Sequence, residues 1–122
     1  MAPMKTILIV DDAQETSEVL SLILKIDGYR VFCAADGVEG LAKARELQPD
    51  LVLIDHMMPV MNGATMGEIL RGDPSCASMK IVMHSCLPES AVKPPVGSYD
   101  AFLRKPYDVD RALDLIQNLI AD

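Results

Sequence analysis

Five short apolar runs, separated by stretches with helical spacing, restrict the fold of this chain more than any other feature. Residues 7–10 (ILIV) and 51–54 (LVLI) are the most apolar, and each is followed at once by aspartate. Unbroken runs of this length, rich in β-branched residues, are typical of strands buried on both faces of a parallel sheet. Residues 31–34, 81–83 and 101–103 are predicted to be the other strands.

Apolar residues at three- and four-residue spacing predict helices between these strands. Gly28 and Pro49 end the first two helices, Asp36 with Glu39 predicts a capping box for the second, and Asp108 predicts a cap for the last. Alternation of strands and helices predicts one doubly wound α/β domain with a parallel sheet. The predicted apolar stripes are Val19, Leu22, Ile23 and Ile26; Val38, Leu41, Ala44 and Leu47; Met66, Ile69 and Leu70; and Val109, Leu113, Ile116 and Ile120.

The segment between the fourth and fifth strands interrupts this alternation. A helix is expected there, but residues 87–100 contain Pro88, Pro94, Pro95 and Gly97. Proline inside a helix removes a hydrogen bond and clashes with the preceding turn. The fourth helix is therefore predicted to be short or irregular, with at most one or two turns around residues 89–92 and a loop after them.

The composition is that of one folded domain, residues 1–122, with 50% hydrophobic and 24% charged residues. The net charge of −7 argues against direct binding to nucleic acid, which needs a basic surface. No apolar run approaches the ~18 residues of a membrane span, and the first run is too short for a signal peptide. Three cysteines without metal-ligand spacing fit a reducing compartment, so a soluble, cytoplasmic protein is expected.

Charged and hydroxyl side chains follow four of the predicted strands. Ligands of open parallel sheets bind at the carboxyl ends of the strands, where these side chains are expected to converge. Each residue alone has an ordinary explanation, such as a helix cap or a loop charge, but their combination at one edge points to a site. The residues are Asp11, Asp12, Asp55, Ser85 and Lys105.

The residue types at this edge suit phosphoryl transfer. Three neighbouring carboxylates repel one another, and Mg²⁺, which prefers oxygen ligands, relieves that repulsion. A carboxylate beside the metal is a competent nucleophile toward phosphorus. The metal, Lys105 and the Ser85 hydroxyl can neutralise the three phosphoryl oxygens. The sequence therefore predicts a site that forms a phospho-aspartate.

These residues resemble the receiver domain of two-component response regulators over nearly the whole chain. The motifs are Ile9-Val10-Asp11-Asp12, Leu53-Ile54-Asp55, Met58-Pro59 with Gly63, Ser85-Cys86 and Lys105-Pro106. The resemblance implies a flavodoxin-like sheet of order 2-1-3-4-5 and a cis Lys105-Pro106 bond. It also implies a signalling domain rather than an enzyme. Because no output domain follows the last predicted helix, a stand-alone receiver similar to a chemotaxis regulator is expected, with a piece of a longer regulator or hybrid kinase as the alternative.

The resemblance also implies a role for each site residue. Asp55 is expected to be the phosphoacceptor, Lys105 to pair with the phosphoryl group, Ser85 to be the switch hydroxyl and Phe102 the switch aromatic. The implied Mg²⁺ ligands, at a site where Mn²⁺ could substitute, are Asp12 directly, Asp11 through a water, Asp55, and the backbone carbonyl of Met57.

A histidine kinase or a histidine phosphotransfer protein is the implied phosphoryl donor, and an unidentified downstream protein is the implied output. The family's fourth helix belongs to its usual output face, so Pro94 and Pro95 put recognition through that face in doubt. Met57 and Leu87, each two residues beyond a reacting position, cannot orient a hydrolytic water, which predicts slow self-dephosphorylation. His56 and His84 lack metal spacing with any cysteine and are interpreted as packing residues.

Three other functions fit this fold class. A pseudo-receiver acts as an interaction module without phosphorylation, but it usually lacks one of the acids or the lysine. A flavin-binding module needs a hydroxyl- and glycine-rich loop after the first strand, where this chain has acids. A phosphatase with an aspartyl intermediate usually has a second acid where this chain has Met57.

Overall fold

The computed structural model describes residues 4–92 and 98–121. Within them, five parallel strands form one sheet of order β2-β1-β3-β4-β5, which confirms the order expected from the sequence. The strands are β1 (Thr6–Val10), β2 (Arg30–Ala34), β3 (Leu51–Asp55), β4 (Lys80–Ser85) and β5 (Ala101–Arg104). The helices are α1 (Gln14–Ile26), α2 (Gly37–Leu47), α3 (Gly63–Gly72), α4 (Glu89–Val92) and α5 (Val109–Ile120).

The central strands are buried on both faces because helices cover both faces of the sheet. Side chains along a strand alternate between the two faces, so each apolar run supplies two separate cores. Each fully buried aliphatic side chain contributes about 1.5–3 kcal/mol, which explains why the runs are unbroken. Leu8, Val10, Val52 and Ile54 pack toward α2 and α3, whereas Ile7, Ile9, Leu51 and Leu53 pack toward α1 and α5.

The predicted apolar stripe of α1 is wrong, although the helix itself is confirmed. Val19 and Leu22 are each 61% exposed and Ile26 is 79% exposed. The helix instead rests on the sheet through a second set of residues at the same spacing, in which small serines allow close approach. That set is Ser17, Leu20, Ser21 and Leu24. Two interleaved stripes have equal periodicity, so sequence spacing alone could not choose the buried one.

The outer residues of two other stripes also face solvent. Val38 of α2 is 60% exposed, and Val109 of α5 is 39% exposed. The inner members of these stripes are buried as expected, among them Ala44 and Ile116. The first turn of each helix therefore extends beyond the area that the sheet covers.

The helix starts were predicted with partial success. The Asp36 side chain accepts a hydrogen bond from the Glu39 backbone N–H at 2.8 Å, which confirms the cap of α2. Asn62, to which no role had been given, caps α3 by accepting from the Thr65 N–H at 2.9 Å. Asp108 occupies the N-cap position of α5, but its side chain makes no capping hydrogen bond.

The fourth helix has the length that the proline pattern predicted. Its described part consists of the four residues Glu89–Val92. Pro94, Pro95 and Gly97, on which the prediction of a following loop rested, lie outside the described residues. Within the described ranges, no helix is long and apolar enough to cross a lipid bilayer.

Candidate functional site

The candidate site lies where the carboxyl ends of β1, β3, β4 and β5 meet. The backbone N–H of Asp11 donates to the Ala34 carbonyl at 3.1 Å, and that of Lys105 donates to the Ser85 carbonyl at 2.7 Å. These bonds continue the sheet one residue past β1 and β5. Because the strands are parallel, the acid after β1, the acid that ends β3 and the lysine after β5 reach the same edge.

Lys105 connects the two buried acids at this edge. Its Nζ lies 3.1 Å from Oδ2 of Asp11 and 3.6 Å from Oδ1 of Asp55. Asp11 is 2% exposed and Asp55 is 7% exposed. The Lys105–Pro106 peptide bond is cis, which confirms the expectation from sequence. The predicted convergence of Asp11, Asp55 and Lys105 is therefore present in the structure.

The pKa values of the two buried acids, Asp11 and Asp55, are shifted in opposite directions. Burial acts to raise the pKa of Asp11, but the adjacent His84 ring, a hydrogen bond from the Ala13 N–H and the Lys105 charge lower it to about 2. Burial raises the pKa of Asp55, and repulsion from Asp11 adds to this, with Lys105 only partly offsetting them. The negative charge of Asp55 is therefore poorly compensated, and a bound cation would stabilise it.

His84 is the site residue that the sequence interpretation missed. Its ring is completely buried, with Nε2 3.2 Å from Oδ2 of Asp11 and Nδ1 3.1 Å from the Tyr107 hydroxyl. The usable signal was strand register, because His84 of β4 pairs with Asp55 of β3 and neighbours in register point to the same face. The interpretation of His84 as a packing residue did not decide between core and surface, and it overlooked the acidic neighbours of His84.

The donor set of this cluster fits a divalent cation. One ligand atom each from Asp11, Asp55 and His84 lie within 4.8 Å of one another. The Nε2 atom of His84 is buried and has no hydrogen-bond partner of suitable geometry among the described residues. The poorly compensated carboxylate of Asp55, the adjacent carboxylate of Asp11 and a buried nitrogen without a hydrogen bond form an arrangement that a bound cation would complete.

The other predicted metal ligands lie at the margin of the cluster. Asp12 is exposed, and its carboxylate is outside the group that Asp11, Asp55 and His84 form. The Met57 side chain is 58% exposed, and its backbone N–H donates a hydrogen bond that lowers the pKa of Asp55. The roles of Asp12 and of the Met57 carbonyl as ligands stay predictions.

The two predicted switch residues lie apart from the acids. Ser85 is buried, and its Oγ accepts a hydrogen bond from the Leu87 N–H at 3.1 Å. Phe102 is half-buried, with its ring centroid 6.0 Å from that of Tyr99. Among the described residues, no hydrogen bond or ion pair joins either side chain to Asp11 or Asp55.

The turn that follows Asp55 requires a glycine. The Gly63 N–H donates to the His56 carbonyl at 2.9 Å, and a β-carbon at residue 63 would lie 2.6 Å from the Asp55 carbonyl oxygen. A side chain there would force α3 away from the end of β3. Gly63 thus fixes the path of the loop that carries Met57.

Comparison with known proteins agrees with this geometry. The family model of the response regulator receiver domain matches residues 7–117. This chain belongs to that family. It is therefore a receiver domain of the two-component type, and its α/β fold has close counterparts among solved receiver structures.

Among curated relatives, the chain is 35% identical over 121 residues to the DNA-binding dual master transcriptional regulator RpaA of Synechocystis sp., covering 96% of this chain and 49% of that protein. It is 43% identical over 67 residues to the DNA-binding response regulator MtrA of Mycobacterium tuberculosis, covering 55% of this chain and 29% of that protein. The receiver thus spans at most about half the length of these relatives.

Two solved structures illustrate the similarity of fold. The chemotaxis protein CheY4 of Vibrio cholerae has a TM-score of 0.85 and 29% identity, over 97% of this chain and 100% of that one. The response regulator TrrA of Thermotoga maritima, solved in complex with Mg²⁺-BeF, has a TM-score of 0.87 and 26% identity, over 96% and 100%.

Proposed function

We propose that this receiver accepts a phosphoryl group on Asp55 from a phosphohistidine of a histidine kinase or a histidine phosphotransfer protein. The supporting observation is the placement of Lys105 Nζ between two buried acids, 3.1 Å from Asp11 and 3.6 Å from Asp55. Phosphorylation then changes a surface that binds a downstream protein. The domain acts as a signalling element in the cytoplasm, and its charge of −7 favours a protein partner over DNA.

Asp55 is the nucleophile of the proposed reaction. One of its carboxylate oxygens forms a bond to phosphorus, while the bond from phosphorus to the donor's imidazole nitrogen breaks and leaves its electron pair on that nitrogen. Burial and repulsion from Asp11 raise the pKa of Asp55, so its carboxylate is more basic than an exposed one. Asp11 stays ionised and holds Lys105 beside the acceptor.

A divalent cation held by Asp11 and Asp55, with Asp12 and the Met57 carbonyl as further proposed ligands, would supply positive charge to offset that of the phosphoryl oxygens. Lys105 provides the second positive charge, since its ammonium is already 3.6 Å from Asp55 Oδ1. Charge-assisted hydrogen bonds of this kind are worth about 1.5–3 kcal/mol each. Lys105 therefore both orients the acceptor and stabilises the product.

The response to phosphorylation is proposed to begin at Ser85. Its hydroxyl accepts a hydrogen bond from the Leu87 N–H and keeps its own proton free to donate. Donation to a phosphoryl oxygen would draw the loop after β4 toward Asp55. Phe102, half-buried in the adjacent strand β5, would then occupy the space that this movement leaves.

The exposed face of α1 supports docking of the donor beside this site. A groove between α1 and the segment after β5 is lined by Val19, Ile23, Pro106, Tyr107 and Val109. Lys105 lines the same groove, so it continues into the acidic site. A helix of the donor protein, apolar around its phosphohistidine, would cover this surface and bring phosphorus to Asp55.

Mass spectrometry after incubation with a small acyl-phosphate donor tests the proposal. We expect the parent chain to gain one phosphoryl group in the presence of Mg²⁺ and none after chelation of the metal. Asp55→Asn should gain none under either condition. A parent chain that stays unmodified with Mg²⁺ would contradict the proposal and favour a pseudo-receiver, an interaction module without phosphorylation.

A further inference from the structure

His84 supplies a buried nitrogen that the proposed phosphotransfer does not use. The side chain is fully buried on the face of β4 that carries the acids, opposite Ser85. Its Nε2 lies 3.2 Å from Oδ2 of Asp11 but has no hydrogen bond of suitable geometry among the described residues. A buried polar atom without a partner costs free energy, so its presence calls for a function.

We propose that Nε2 of His84 is a metal ligand together with the carboxylates of Asp11 and Asp55, which makes this site prefer first-row transition-metal cations over Mg²⁺. The inference concerns the same acidic site as the proposed function and rests on it only for the role of the metal in phosphoryl transfer. Its ligand is a divalent cation that accepts imidazole, such as Co²⁺.

The distances in the cluster are compatible with a single cation. The three ligand atoms lie within 4.8 Å of one another. Metal–nitrogen and metal–oxygen bonds of about 2.0–2.2 Å let one ion contact atoms roughly 4 Å apart. Small rotations of the side chains would therefore close the site around an ion, without movement of the strands.

Tyr107 gives the imidazole a hydrogen-bond partner on its second ring nitrogen. Its hydroxyl lies 3.1 Å from Nδ1 of His84, within hydrogen-bond distance of that nitrogen. With a proton on Nδ1 shared with this hydroxyl, Nε2 presents a lone pair to the acids. Metal-binding histidines typically have such a partner on the second ring nitrogen.

Lys105 competes with a cation for the same carboxylate oxygen. Its Nζ lies 3.1 Å from Asp11 Oδ2, the oxygen that faces His84. A divalent ion bound there would displace the ammonium from Asp11 and leave it closer to Asp55, where the phosphoryl group is proposed to form. Metal binding would in this way release Lys105 for its proposed task.

The nitrogen donor decides the metal preference. Mg²⁺ takes oxygen ligands and keeps several waters, whereas imidazole suits transition metals, whose affinities generally rise from Mn²⁺ to Cu²⁺. In a site with carboxylates alone, replacement of Mg²⁺ by a transition metal would raise the binding affinity less. Replacement of His84 should therefore lower the affinity for Co²⁺ much more than the affinity for Mg²⁺.

Proton NMR of the unphosphorylated full chain with Co²⁺ alone tests the proposal directly. We expect strongly shifted imidazole signals from one histidine, including an exchangeable Nδ1 proton. His84→Val should lose these signals and reduce the ratio of Co²⁺ to Mg²⁺ affinity, measured by titration calorimetry, by about tenfold or more. His56→Gln is the matched control, because His56 also has a buried nitrogen without a partner but lies outside the cluster.

Co²⁺ that binds without shifted histidine signals would overturn the proposal, and so would equal losses of Co²⁺ and Mg²⁺ affinity in His84→Val. Should that variant not fold, the parent spectrum still decides, and Tyr107→Phe should lower the Co²⁺ affinity by releasing the ring. These experiments distinguish failure of the proposed function from failure of this metal-ligand inference. Shifted signals without phosphorylation of Asp55 would sink the function alone, and phosphorylation without them would sink this inference alone.

Discussion

The last two residues of β4 show how differently the two faces of one strand are organised. His84 points toward α1 and α5, where it lies with Asp11 in a buried network that includes Lys105 and Asp55. Ser85 points the other way, and the hydrogen bond that its hydroxyl accepts among the described residues comes from the backbone of its own loop. In the proposed function, the face that carries His84, Asp11, Asp55 and Lys105, here called the acceptor face, is assembled before phosphorylation. The face that carries Ser85, here called the response face, would form new contacts afterwards.

The difference follows from what covers each face near the site. The acceptor face lies against α5, which has 12 residues, whereas the strand end on the response face leads into α4, which has four. A helix with four described residues buries less apolar surface than one with 12, so we expect weaker packing of the described residues after β4. A receiver needs this contrast, because chemistry requires fixed groups and a switch requires groups whose positions can change.

The largest expected effect comes from removing the central charge of the acceptor face. Lys105→Met should slow phosphorylation of Asp55 by about 100-fold, because the phosphoryl oxygens lose a preorganised cation. The rate is read from a mass-spectrometric time course with a small acyl-phosphate donor. Lys80→Met, at the opposite end of β4, is the control, and an equal loss there would refute the role given to Lys105.

The two acids should respond oppositely to substitution. The pKa of Asp11 is lowered from 3.8 to about 2, so its charge stabilises the fold above pH 4, and this stability is lost as the pH falls toward 2. Asp11→Asn should therefore lower the free energy of unfolding at pH 7 by about 2 kcal/mol, with most of this difference lost by pH 2.

The pKa of Asp55 is raised, so its ionised form destabilises the fold, and this cost appears as the pH rises through that pKa. Without metal, Asp55→Asn should stabilise the domain at pH 7 and lose that advantage in acid. Urea denaturation at several pH values checks both acids. Two changes of the same sign at pH 7 would show that the opposite shifts are wrong.

The phosphoryl lifetime tests the loop that borders the acceptor. Met57 has an apolar side chain that is 58% exposed beside Asp55 and cannot orient a water. Met57→Asn should shorten the lifetime of phosphorylated Asp55 by about tenfold, since an amide can position the attacking water. Val60→Asn, in the same loop with its side chain in solvent, should change nothing. An unchanged or longer lifetime in Met57→Asn would count against this account.

The smallest expected effect concerns the response face. Ser85→Ala should cost about 0.5–1 kcal/mol of stability, because the Leu87 N–H loses its acceptor and water only partly replaces it. Asp55 should still be phosphorylated, but the change in NMR shifts around Leu87 and Phe102 on phosphorylation should be lost. If phosphorylation still caused all of the NMR shift changes in this variant, Ser85 would be excluded as the switch hydroxyl.

Much of the fold could be predicted because its signals are local. Unbroken apolar runs identified β1 and β3, the Asp36 cap identified the start of α2, and prolines predicted a short α4. The buried face of α1 could not be predicted, since Val19 and Leu22 repeat with the same period as Leu20 and Leu24. Which stripe is buried depends on the sheet that the helix meets.

The candidate site likewise has features that the sequence predicted and features that it could not predict. The residues after the strands had to share one edge once the sheet was parallel, and Asp11, Asp55 and Lys105 meet there. The sequence could not show that Asp11 is buried while its neighbour Asp12 is exposed. Nor could it show that His84 faces Asp11, because that contact depends on strand order and register.

The sequence by itself determined the strands, the order of functional residue types along the chain and the edge where those residues gather. Only the tertiary structure decided which of two equivalent helix stripes is buried, which of two adjacent acids is desolvated and which histidine joins them. The physical reason is that secondary structure and strand direction follow from local periodicity. Burial and pKa depend on groups that packing brings close from distant parts of the chain, as with residues 11, 84 and 105.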